Sequence, residues 1–156
     1  MDSAMTSGPR PAAGASLARK WFVLLAHAFV AWALCGATMG IGQAVTTEQT
    51  AIVVHAVAAP FIFALVSRHY FVKYGYTGPL ATAAIFTAFV VLVDFFLVAL
   101  VILRSVEMFG SALGTWIPFT LGFLSTYVTG RAVEAQKDQD RIRVGGASGA
   151  RPVSSG

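Results

Sequence analysis

The chain has 156 residues, 56% hydrophobic and only 12% charged, with a mean hydropathy of +0.71. A soluble domain carries roughly 25% charged residues, so too few polar side chains are present here to cover a water-facing surface. The net charge of +4 does not point to nucleic acid, because the basic residues cluster in short groups beside apolar runs, the pattern of membrane flanks.

Residues 1–15 are small, Gly/Pro-rich and unpatterned, which predicts a disordered tail. Residues 16–130 then carry four apolar runs: "WFVLLAHAFVAWALCGATMGIGQA", "QTAIVVHAVAAPFIFALVS", "LATAAIFTAFVVLVDFFLVALVIL" and "FGSALGTWIPFTLGFLSTYVT". Each is about 19 to 24 residues long, enough at 1.5 Å per residue to cross a hydrocarbon core of roughly 30 Å. Backbone groups in lipid must satisfy one another, so each run is expected to be a helix, over about 17–44, 49–72, 79–104 and 107–130. The first run is too long for the h-region of a cleaved leader, and Leu34 before Cys35 does not suit lipoprotein processing. Residues 131–143 read as a helical extension into water, and 144–156 as a second disordered tail.

Orientation follows from Lys and Arg. With alternating sides, Arg10, Arg19, Lys20, Arg68, Lys73, Arg131, Lys137, Arg141, Arg143 and Arg151 share one side, and Arg104 stands alone on the other. This asymmetry puts both termini in the cytoplasm. The expected fold class is all-α: an integral membrane four-helix bundle, antiparallel and up-down-up-down, with short outer loops. The expected location is a cell membrane of the bacterial inner-membrane kind.

Lipid gives helices no hydrophobic reason to associate, so small residues and interhelical hydrogen bonds matter more. Gly110, Gly114, Pro118, Gly122, Thr126 and Gly130 recur every fourth residue, and Gly36, Gly40 and Ala44 do the same on the first run. These ridges predict close packing inside the bundle, or a face for a homo-oligomer. Pro60 and Pro118 each remove a backbone donor and predict a local kink.

The informative polar group is Asp94, alone in "FVVLVDFFLVALVIL". Its neighbours three and four residues away are Val90, Val91, Leu97 and Val98, so a partner has to come from another helix or from water. Depth counting puts Asp94 at about 14 Å from the outer end of its run and His55 at about 9 Å. Thr38, Thr115 and Trp116 fall at about 9 to 11 Å. The expectation is that Asp94 and His55 share a proton in a polar layer open to the outside, titrating as one unit. The alternative is that Asp94 is a hydrogen-bonded strut fixing helix register. His27 falls near the inner boundary, Trp32 reads as core filling, and Cys35 as a small buried apolar group.

No metal or phosphate motif and no catalytic set can be assembled, so no cofactor or metal is expected and enzyme chemistry is disfavoured. The leading expectation is an accessory or scaffold subunit of a membrane complex. The alternative is a proton-linked small-solute transporter or channel subunit using Asp94 with His55, which requires an oligomer. A lipid- or quinone-acting enzyme ranks last. Expected partners are the lipid bilayer and either further copies or other membrane subunits, with no nucleic acid.

Overall fold

The computed structural model describes residues 13–110 and 112–149, with the side chains at 13–15, 108 and 145–149 left aside. It is all-helical, with no strand among the described residues. Four helices carry the chain: α1 (Ala13–Val45), α2 (Glu48–Lys73), α3 (Pro79–Val93) and α4 (Ile117–Gly149). A π-helical stretch, Asp94–Leu103, prolongs α3, and a 3₁₀ turn (Glu107–Gly110) and a π turn (Ala112–Trp116) lead into α4. Most of both expected tails, 1–12 and 150–156, lies outside the described residues, whereas 13–15 and 144–149 are helical.

Three helical segments are long and apolar enough to cross a membrane: Ser16–Val45, Glu48–Lys73 and Pro79–Leu103. The fourth apolar run does not form one regular helix. It is divided between the 3₁₀ turn, the π turn and the start of α4, which turns polar after Gly130. Pro118 gives a physical reason for the π turn. It has no amide to offer the carbonyl four residues back, and an i→i+5 pattern steps past the missing donor.

The helix ends follow local chemistry. Thr47 caps α2, its hydroxyl accepting from the Thr50 amide at 3.3 Å. Pro79 opens α3 just after Gly78, where its fixed φ suits the first turn and its absent amide costs nothing. At the end of α2, Gly75 adopts φ +53° and donates its amide to the Tyr70 carbonyl at 2.9 Å. This is the left-handed closure that glycine permits. Arg104 makes the same left-handed turn, φ 51°, without being glycine, where the π stretch stops.

α2 packs against both α1 and α4, and α3 against α4 and α1. The core repeats at helical spacing: Leu24, Ala28, Ala31 and Cys35 on α1 meet Ala59, Phe63, Val66 and Tyr70 on α2, with Phe86 and Val90 from α3. Small residues of α4 let it approach closely. A methyl on Gly122 would lie 3.2 Å from the Phe63 ring, and one on Gly130 would lie 2.7 Å from Phe71 and 2.8 Å from Pro79. The Gly36 and Gly40 ridge differs: both glycines are exposed, and a methyl there meets nothing within 4 Å, as is also so at Gly110. Of the two ridges, the α4 one packs tightly among the described residues, at Gly122 against α2 and at Gly130 against α2 and α3.

Candidate functional site

Asp94 lies at the junction where α3 becomes π-helical, and its amide reaches both the Val90 and Val91 carbonyls. Its side chain is half-buried. The carboxylate Oδ1 accepts from the indole Nε1–H of Trp32 on α1 at 2.8 Å. An indole has one donor and no acceptor, so this contact satisfies Trp32 fully and Asp94 in part. Trp32 and Asp94 sit beside a groove lined by Phe29, Phe89, Leu92, Val93 and Phe96, all apolar.

His55 of α2 faces the same stretch of α1 one turn further along, its imidazole directed at the Cys35 backbone carbonyl. Its Nδ1 is buried with no hydrogen-bond partner. Cys35 is buried and within electrostatic range of Asp94. Residues 32–35 of α1 therefore bring Asp94 and His55 towards a common segment. The two side chains are joined by neither a hydrogen bond nor an ion pair among the described contacts. Each meets α1 instead of the other.

Of the remaining members of the expected polar layer, Thr38 and Trp116 hydrogen-bond to other groups. Thr38 turns its hydroxyl back onto the Leu34 carbonyl at 2.9 Å, satisfying itself within α1. Thr115 is buried in the π turn. Trp116 is 53% exposed, and its indole donates to the Phe109 carbonyl at 2.8 Å, tying the 3₁₀ turn to the π turn. Of the two prolines expected to kink the chain, Pro60 lies inside a continuous α2 and its carbonyl accepts from the Ser125 hydroxyl of α4.

Trp32 is the hydrogen-bond partner of Asp94 that sequence reasoning missed. Counted from the outer end of its run it lies at about 18 Å, within one helical turn of Asp94 at about 14 Å. Its indole N–H was a usable signal, because an aromatic donor deep in an apolar run needs an acceptor.

A second constellation was also missed. His27 and His69 stack with ring centroids 5.5 Å apart and planes at 23°. Tyr70 and Tyr74 each present an edge to His27 at 5.5 Å. His69 falls just past the second apolar run, near the end of the expected helix 49–72, and α2, continuing to Lys73, carries it alongside His27 of α1. Among the described residues no group of three metal-ligating side chains assembles. No known protein family, curated protein or solved structure matches the chain.

Proposed function

We propose that this protein is a four-span accessory or scaffold subunit of a membrane complex. In this reading the helices alternate in direction as an antiparallel bundle, both termini are cytoplasmic, and α4 with its preceding turns supplies the fourth crossing. The ten-to-one distribution of basic residues supports that orientation. The membrane is a cell membrane of the bacterial inner-membrane kind, and partners are other membrane subunits or further copies of the chain.

The observation that carries the reading is the Trp32–Asp94 hydrogen bond. An intramembrane carboxylate is a functional site by default. Here it is held by a donor on a neighbouring helix beside an apolar groove, as a strut between α1 and the third span would be. A strut carries no net proton. Purified protein in liposomes under a pH gradient should therefore pass protons no faster than empty liposomes, for wild type and Asp94→Asn alike. Flux that disappears in Asp94→Asn would refute the scaffold reading.

One observation favours the alternative, a proton-linked transporter or channel subunit. The unpartnered Nδ1 of His55 is a buried proton acceptor or donor near Cys35, which itself lies near Asp94. In that reading Asp94 loads the proton and His55 relays it, and His55→Ala would abolish flux together with Asp94→Asn.

A further inference from the structure

We infer that the His27–His69 pair, with Lys20 and Lys73, forms a binding site for one anionic phospholipid. The phosphate would lie at the imidazoles and an acyl chain in the groove between α1 and α2. The inference rests on the membrane reading above, which puts this end of the helices at the cytoplasmic headgroups.

The geometry has an apolar part and a cationic part. Ala26, Val30, Leu65 and Val66 line a groove of about 410 Å³ whose polar edge is His27 and His69. Beyond that edge Tyr74 is the hub. It faces His27 at 5.5 Å and His69 at 6.4 Å, and lies 5.8 Å from Tyr76. The ammonium of Lys73 stands 5.7 Å from the Tyr74 ring, and that of Lys20 5.7 Å from the Tyr76 ring. Both distances lie within cation–π range, so Lys73 is linked to the histidine pair through Tyr74, and Lys20 through Tyr76 and Tyr74. No carboxylate lies on this stretch of α1 or α2; the acids Glu134, Asp138 and Asp140 are on α4, which packs against α2 and also brings Lys137 to the Phe71 carbonyl.

The histidine chemistry agrees. His27 Nδ1 lies 2.7 Å from the Val23 carbonyl, and a carbonyl only accepts, so Nδ1 carries the hydrogen. Nε2 is left as the free nitrogen. It becomes a second donor when the ring is protonated, and an imidazolium donor suits a phosphate oxygen. His69, stacked on His27 with centroids 5.5 Å apart, brings a second imidazole beside the first, so that one phosphate meets both rings. A zwitterionic headgroup offsets its own phosphate with an ammonium and gains less from this surround.

The test is lipid retention by the full-length, detergent-purified protein in native mass spectrometry, with phosphatidylglycerol and phosphatidylcholine offered separately. Wild type should hold one phosphatidylglycerol and no phosphatidylcholine. His69→Ala should retain about tenfold less phosphatidylglycerol. His69 is exposed, so its loss leaves the fold intact, which an unchanged circular dichroism spectrum and elution volume would verify. Arg141→Ala, at a basic residue away from the groove, should retain the lipid as wild type does. Equal retention of both lipids, or of phosphatidylglycerol by wild type and His69→Ala, would overturn the site. Extraction of the protein from membranes by alkaline carbonate would instead overturn the membrane reading.

Discussion

Asp94 sets the energetic problem at the scale of single residues. A carboxylate at the centre of a spanning helix costs roughly 2.5 to 3.5 kcal/mol of insertion free energy. An interhelical hydrogen bond in lipid returns about 0.6 to 1.7 kcal/mol. The Trp32 contact thus offsets part of the cost, and the apolar residues around Asp94 carry the remainder. Glycines give a second residue-scale contrast. Gly130→Ala drives a methyl into Phe71 and Pro79 and should lower stability by about 1 to 3 kcal/mol. Gly36→Ala meets open space and should stay within about 0.5 kcal/mol of wild type. Thermal unfolding in a monomer-sustaining detergent, followed by circular dichroism, separates the two. An equal loss at both positions would mean that Gly36 is also packed.

Elements differ in how firmly they are held. The long π stretch Asp94–Leu103 contacts chiefly α3, and most of its side chains are exposed. Nothing in "DFFLVALVIL" dictates that winding, which the sequence reading takes as plain helix. The π turn before α4 has a sequence cause in Pro118. Restoring an amide with Pro118→Ala should let this turn rewind as α-helix, slowing hydrogen exchange at 114–119. Unchanged exchange would leave the turn without its stated cause. Further along α4, Lys137 donates to the Phe71 carbonyl at 2.8 Å, satisfying an orphan acceptor near the end of α2. Lys137→Ala should cost about 1 kcal/mol and speed exchange at residues 72–76, whereas loss of the charged tail beyond it should not.

For the molecule as a whole, composition and run length made legible the all-helical class and the three helices long and apolar enough to cross a membrane, because burial in lipid demands long uninterrupted apolar runs. The fourth run was legible as apolar but not as broken, since Pro118 acts through local winding that hydropathy averages away. At the site, depth counting put Asp94 and His55 in one layer, yet it could not say which way each side chain turns. That orientation is fixed by helix rotation, and it gave Asp94 to Trp32. His69 drew no notice because it falls in the basic, aromatic stretch just past the second apolar run, and nothing in that stretch signals a partner on α1. The orientation itself is open to direct measurement. Single cysteines introduced into a Cys35→Ser background at 46 and at 140 should label from the outside and only after permeabilisation, respectively. Labelling of both from one side would contradict the alternating topology.

The claim on which the rest depends is that Asp94 binds the third span to α1 through Trp32. A double-mutant cycle of Trp32→Phe and Asp94→Leu, read by unfolding free energy in detergent, measures that link alone. The account predicts a coupling energy of about 0.6 to 1.7 kcal/mol. Strictly additive losses, with no coupling between the two positions, would contradict it.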